Sequence, residues 1–393
     1  MLHDIAIVGA GPVGATLALL LADSDLDVVV LDARERGQTL RGERSLALSH
    51  GARLILERCG VWTALAATKD AVTPITDIDV SQARGFGVAQ LHASLHDLPA
   101  LGYVVSYRAL QRALDAAMAE RGVTVRHGAV ARAVGGTPAF AAIEIDVHGG
   151  ASDTVTARLA AVADGTGATV AGVRRQVHDY GQVALIGKVW RREPGNGVAY
   201  ERFTSEGPVA LLPEGDHYGL VWTATPERAQ TLLELEDTAF LSALERHFGA
   251  RVGGFVAITE RRTFPLALEF APTSIATRCV VLGNAAQALH PVAGQGFNLG
   301  LRDAVELAQC VLRYTTGPHA SRDAIGERAM LDRYARGRRP DRWAGIALTH
   351  GLVSVFGNDL PFVRWPRGLA LTLLDSVPVA KRAFTRAMLF GVR

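Results

Sequence analysis

Residues 5–14, Ile5-Ala6-Ile7-Val8-Gly9-Ala10-Gly11-Pro12-Val13-Gly14, decide how the rest of the chain is read. Ile5 to Val8 is a short β-branched run and Ala15 to Ala22 has helix-forming composition, so the glycines fall where a strand turns into a helix. A second strand, Val28 to Leu31, stops at Asp32 and completes a βαβ unit with dinucleotide-binding spacing. In that context Gly9 permits the tight turn, Gly11 lets the backbone approach a pyrophosphate, and Gly14 allows close helix packing. Gly9, Gly11, Pro12 and Gly14 are the expected contacts to a dinucleotide at the positive helix end, and Asp32 is the expected acceptor for a ribose 2′-hydroxyl. The bland alternative is a glycine-rich turn in an ordinary α/β protein. Both strands and Asp32 being in place argue against it.

Outward from that unit, 393 residues with 49% hydrophobic content exceed what one core usually organises, so two domains are expected. A net charge of +2 is too mild to imply nucleic-acid binding. Cys59, Cys279 and Cys310 lack C-x-x-C spacing, which argues against a disulfide framework or a zinc site and fits a reducing compartment. The histidines form no cluster with metal spacing, so no metal is expected, and no G-x-S-x-G pattern supports a hydrolase. The apolar amino end lacks a basic n-region and reads as folded structure rather than a signal peptide. No stretch reads as a membrane-spanning helix.

Along the chain, residues 45–67 read as helical, and residues 72–98 as a strand-and-loop excursion containing Gly85 and Gly87 and ending near Pro99. Leu110, Leu114, Ala117 and Met118 give helical spacing from Tyr107 to Arg121, and Val123 to Val125 reads as a strand of the first sheet. Short strand-like pieces then alternate with turns: Val183 to Trp190, Val198 to Phe203, Val209 to Leu212 and Tyr218 to Thr223. They suggest an antiparallel sheet, covered by a helix near Asp237 to Phe248. Cys279 to Leu282 reads as a buried strand returning to the first sheet. The expected fold class is α/β. Residues 1–75, 100–176 and 275–340 form a discontinuous Rossmann-like domain, residues 76–99 and 177–274 an inserted antiparallel substrate domain, and residues 341–393 a helical carboxyl-terminal segment.

Two later blocks choose among dinucleotides. Val162-Ala163-Asp164-Gly165 follows an apolar strand, and Val280 to Leu282 leads into residues 283–303, GNAAQALHPVAGQGFNLGLRD. Both blocks look like the second and third fingerprints of the single-component flavin aromatic hydroxylases. The resemblance is greatest to the 2-polyprenyl-6-methoxyphenol hydroxylases of ubiquinone biosynthesis. It lies in residues 283–303 and in Tyr200-Glu201-Arg202-Phe203 followed by Gly207-Pro208, and it runs across nearly the whole chain. The resemblance implies a GR2-type FAD-binding fold. It also implies FAD contacts from Arg44, Gln111, Asp164, Gly165, Gly283, Asn284, Gly296, Phe297 and Asn298, and a catalytic loop of Pro291, Gly294, Gln295 and Gly296. Physically, Gly294 and Gly296 let N–H groups crowd against a planar ring, and the following helix points its positive end at the charge of a reduced flavin. Many members of the superfamily have Gly-Asp where this chain has Gly283-Asn284; the asparagine is uncharged but still donates and accepts. His290 reads as part of the loop packing rather than as a general base.

The activity implied by the resemblance is hydroxylation of a polyprenylated phenol with NAD(P)H and O2 through a flavin C4a-hydroperoxide. Implied with it are a cytoplasmic setting with peripheral contact at the inner membrane, and a complex with other ubiquinone-biosynthesis proteins. From Leu331 to Arg393 eleven basic residues face four acidic ones, 11 − 4 = +7, interleaved with apolar residues such as Trp343, Trp365 and Phe390. That segment suits anionic headgroups, or else caps its own domain with the arginines as a solvated rim. Competing readings are a flavin dehydrogenase, prenyl reductase or halogenase of the same superfamily, an NAD-dependent dehydrogenase, and a non-catalytic flavoprotein scaffold. A halogenase is expected to carry W-x-W-x-I-P, which is absent, and an NAD enzyme leaves residues 283–300 unexplained.

Overall fold

The computed structural model describes residues 1–38, 44–83, 86–147, 150–165, 167–193, 197–259, 261–318, 320–356 and 361–392. Gly42, Glu43, Gly85, Asp359 and Arg393 lie outside the described residues. Strand Leu2–Val8 runs parallel to Val28–Asp32 on one side and to Ala151–Val162 on the other; Thr124–His127 extends the first flank and Cys279–Val281 the second. The central runs Ile5–Val8, Val28–Leu31, Leu159–Val162 and Cys279–Val281 are apolar without alternation because both faces are covered. Ile5, Ile7, Val30, Leu159 and Val280 enter one core, beneath helices Pro12–Leu21, Tyr107–Glu120 and Gln295–Thr315. Ala6, Val8, Leu31, Val162 and Val281 enter another, against the hairpin strands Val130–Gly136 and Ala141–Val147. Each fully buried Ile or Leu contributes about 1.5–3 kcal/mol, so this period-two division holds the layers together.

Register is what places the site. Val8 lies opposite Leu31 and Val162, and Val162 lies opposite Val281. Parallel strands in that register end together, so Gly9, Ala163-Asp164 and Leu282-Gly283 leave the sheet side by side. Three segments separated by more than a hundred residues thereby line one crevice at the carboxyl edge, where open α/β sheets bind ligands.

The second sheet is antiparallel except for one parallel pair, Val198–Thr204 with Asp77–Gln82. Its strands include Gln176–Arg191, Gly207–Glu214 and His217–Ala224. Val209, Leu211, Leu220 and Trp222 face helices Pro226–Glu234 and Asp237–Phe248. The alternate residues Ala210, Leu212, Val221 and Thr223 point to the other side and line a cavity.

Two expectations need correction. Ser45–Ser49 is a strand, not the start of a helix: it pairs with Gly102–Ser106 in a small sheet, and Ser49 then caps helix His50–Arg58 by accepting from the Ala52 N–H at 3.2 Å. The pairing partner lies 53 to 61 residues further along the chain, Ser49 opposite Gly102 and Ser45 opposite Ser106, and it overrides local composition. In the carboxyl-terminal helices Arg328–Phe356, Pro361–Ser376 and Pro378–Phe390, the arginines are not all a rim. Arg338, Arg342 and Arg367 are buried.

Candidate active site

The first loop is shaped by contacts that admit only glycine. Gly9 has φ +97°, in the left-handed region, and a Cβ there would lie 2.8 Å from the Asp164 Cα. A Cβ on Gly14 would stand 1.9 Å from the Gly9 carbonyl oxygen. At Gly11 the same atom would meet nothing within 4 Å, which leaves open space in front of the helix. Helix Pro12–Leu21 has no side-chain cap, and Pro12 occupies its first turn, so its first free N–H groups are left for an anion.

Around this loop polar groups wait for partners. Gln111 is buried; its amide donates to the Ala10 carbonyl and to Asp115, each at 2.8 Å, while its Oε1 has no partner. Asp164 accepts from the Ala168 N–H at 2.7 Å through Oδ2, but its buried Oδ1 has none, and burial pushes the carboxyl above the usual range. Asp32 is held by the Arg34 backbone N–H at 3.2 Å and by its guanidinium at 2.8 Å. Each carboxylate oxygen keeps a lone pair for a further donor. Gly165 follows Asp164 with its Cβ position open, and Asn284 is exposed beside Gly283. Arg44 is exposed, its guanidinium 3.8 Å above the Tyr107 ring at the start of the helix that carries Gln111.

The third loop sits where the two large sheets meet. Gly294, at φ +58°, begins helix Gln295–Thr315 without a side-chain cap. Pro291, Gly294, Gln295 and Asn298 border a cavity of about 140 Å³ whose other walls are the second sheet, strand Ser45–Ser49, and Met388 and Leu389 of the last helix. Gly296 and Phe297 lie in the first turn, with Phe297 packed partly against the core. Asn298 is buried with its amide spent inside the protein: it donates to the carbonyls of Gly294 at 2.8 Å and Ala47 at 3.2 Å, and accepts from the Ser49 N–H at 2.9 Å. It clamps strand Ser45–Ser49 to the helix and also borders the cavity.

Among the polar residues on the cavity wall, which include Ser49, Glu201, Gln295 and Asn298, His290 and Thr223 stand out. Both are buried, and the His290 Nε2 and the Thr223 hydroxyl have no partner. His290 Nδ1 accepts from the Val292 N–H at 3.1 Å, so Nε2 carries the proton. Burial pushes the imidazolium pKa down to about 4, which makes the neutral ring the working form and fits loop packing rather than general base catalysis.

Sequence inspection missed the support behind the third loop. Asp303, fully buried, accepts from the Gly283 N–H at 3.2 Å and from Gln287 at 2.8 Å. Its other oxygen meets Arg338 at 2.7 Å, and Arg338 continues to Asp341 at 2.8 Å. Asp341 also binds Arg302 at 2.7 Å and accepts from the Val392 N–H at 3.3 Å. Arg342 meets Gln287 at 2.6 Å. Asp303 closes the third fingerprint, and Arg338 and Asp341 lie three apart on one helix; that i, i+3 spacing is the only trace of the pairing in the sequence.

A dinucleotide crevice with three strand-end loops, opening onto an apolar cavity under a second sheet, defines a flavoprotein of the aromatic-hydroxylase architecture. The open space at Gly11 and the unpartnered oxygens of Gln111 and Asp164 fit FAD. The FAD binding domain family matches residues 3–348. Ubiquinone hydroxylase UbiL of Rhodospirillum rubrum is 32% identical, over 98% of this chain and 88% of its own. The 3-demethoxyubiquinol 3-hydroxylase of Escherichia coli is 30% identical, over 96% of each chain. Among solved structures, p-nitrophenol 4-monooxygenase PnpA of Pseudomonas putida superposes with a TM-score of 0.78 over 100% of this chain and 99% of its own, at 15% identity, a likeness of fold. The chain belongs to the FAD-binding domain family and is an FAD-dependent hydroxylase.

Proposed function

We propose that the protein hydroxylates a polyprenylated phenol, a precursor of ubiquinone, with NAD(P)H as reductant and O2 as oxygen source. The observation that carries this reading is the cavity: apolar walls, direct contact with the third loop, and two buried polar groups without partners, at Thr223 and His290. A phenol has this pattern, an apolar ring with one or two oxygen substituents, and leaving those wall groups unpaired would cost about 1–3 kcal/mol each. The names of the relatives point to the same substrate class.

In this reading Gly9, Gly11, Pro12 and Gly14 receive the FAD pyrophosphate at the uncapped helix. Asp32, Gln111, Asp164, Gly165, Gly283 and Asn284 bind the ribose and ribityl portions, and Arg44 swings from Tyr107 to the phosphates. Bound FAD, once reduced, supplies the activated oxygen. The protein's own task is geometric: Pro291, Gly294, Gln295 and Gly296 form the wall against the flavin ring, and the second sheet holds the phenol ring carbon within about 3–3.5 Å of the oxygen it receives. Leu212, Val221 and Leu389 keep water from that space. Neutral His290 donates a hydrogen bond from Nε2, and Thr223 supplies a hydroxyl, so both orient the ring without taking its proton.

Purified holoprotein given NAD(P)H, a prenylated phenol and isotopically labelled O2 tests this. The expected product is heavier by one oxygen atom drawn from O2. NAD(P)H oxidation that yields only hydrogen peroxide with every prenylated phenol tried sinks the substrate assignment, and dehydrogenated product without label restores the dehydrogenase reading.

A further inference from the structure

Helix Pro361–Ser376 is apolar on two sides. Its inner side, with Leu371 and Leu374, packs on Val353, Phe203 and Ala89. Its outer side shows Trp365, Leu369 and Leu373 at intervals of four, 72%, 53% and 51% exposed, and Val377 and Val379 continue the exposure into the next helix at 41% and 78%. Phe86, from the loop beside the second sheet, is also exposed and lies against Trp365 with ring centroids 5.1 Å apart. Contiguous large apolar side chains in water are costly, at roughly 25 cal/mol per Å², and such a patch marks a contact surface.

Charge selects what contacts it. Residues 361–392 carry Arg364, Arg367, Lys381, Arg382 and Arg386 against Asp375 alone, 5 − 1 = +4. Asp375 is already engaged, by Lys381 at 2.8 Å and the Gln90 N–H at 3.0 Å. On helix Pro378–Phe390 the exposed residues are Pro378, Val379, Ala380, Arg382, Ala383, Arg386 and Phe390, cations among apolar groups with no carboxylate. A two-fold pairing of this face with a second copy would set those arginines against one another with nothing to neutralise them. Among the described residues no helix is long and apolar enough to cross a membrane, so contact of this surface with a bilayer would be interfacial. We propose that the outer faces of these two helices, with Phe86, form a docking surface for an anionic lipid bilayer, with Trp365 and the leucines at headgroup depth and Arg382 and Arg386 paired with lipid charge. This concerns the surface alone and stands whether or not the cavity takes a prenylated phenol.

The test is flotation of the full-length holoprotein with vesicles of phosphatidylcholine, alone or mixed with phosphatidylglycerol. Expected are binding to the mixed vesicles, loss of it at high salt, and weak binding to phosphatidylcholine alone. Trp365→Ser/Leu369→Ser/Leu373→Ser should abolish flotation while flavin content and circular dichroism stay unchanged. Arg382→Gln/Arg386→Gln should weaken binding to mixed vesicles on the order of tenfold. The proposal is overturned if the wild-type protein floats with neither vesicle or if the triple variant floats as well as wild type. It is also overturned if sedimentation shows a wild-type dimer that the triple variant dissolves without any lipid binding.

Discussion

The glycine loop from Gly9 to Gly14 and the charge chain from Asp303 through Arg338 to Asp341 both shape the FAD crevice, by opposite means. In the loop the restraint is steric and local: backbone atoms stand so close that a single methyl group at Gly14 would lie 1.9 Å from the carbonyl oxygen of Gly9, only five residues earlier in the chain. In the chain the restraint is electrostatic and long-range: Asp303 reaches Arg338 at 2.7 Å across 35 positions of sequence and, through Asp341, the Val392 N–H. The loop has no charge to lose, whereas the chain consists of buried charges that are tolerable only as a set. Local steric sites should therefore fail by losing the ligand, and buried ionic ones by losing the fold.

The largest expected effect breaks the ionic side. Arg338→Met should destabilise the protein by about 3–5 kcal/mol in urea unfolding, because Asp303, with no exposed surface, is left buried without its cationic partner. A loss under 1 kcal/mol would mean the chain is not a structural unit. Gly14→Ala should cost less in stability, about 1–3 kcal/mol, yet abolish FAD retention, so that the folded protein purifies without flavin absorbance. If it keeps stoichiometric flavin, the loop is not the steric gate described above.

The effect that is smallest at neutral pH sharpens the contrast with a buried group that carries no charge in the folded state. The His290 pKa falls from 6.5 to about 4 on folding, so between those values the unfolded chain binds the extra proton. Stability should be unaffected above pH 6.5, decline as pH falls toward 4, and level off below that, by up to about 3 kcal/mol in all. The difference between wild type and His290→Gln in unfolding free energy from pH 7 to pH 4 isolates this contribution from the other histidines. Parallel pH profiles for the two proteins would show that His290 is not buried neutral.

How much was readable follows the same division. The strand Leu2–Val8, its helix and Asp32 were legible because β-branched runs, glycines and a terminal carboxylate act over a few residues. Strand Ser45–Ser49 was not, since Ser-Leu-Ala-Leu has helical composition and only Gly102–Ser106, placed opposite by folding, makes it a strand. The motif of Asn298 points to the ligand side, and only the fold adds its three hydrogen bonds to Ala47, Ser49 and Gly294. Arg338 and Arg342 looked like surface cations in a basic segment, and nothing in their neighbours announced Asp303 or Gln287.

The sequence by itself determined the nucleotide loop, because glycine sterics and strand periodicity are properties of adjacent residues, and its two later blocks implied the flavin class by their resemblance to flavin hydroxylases. Only the tertiary structure decided that Val8, Val162 and Val281 end in one register, which arginines are buried, and which polar atoms on the cavity wall remain unpaired. Those outcomes depend on pairings between distant segments, and a chain carries no local mark of the partner that will satisfy, or leave unsatisfied, a buried charge or hydrogen bond.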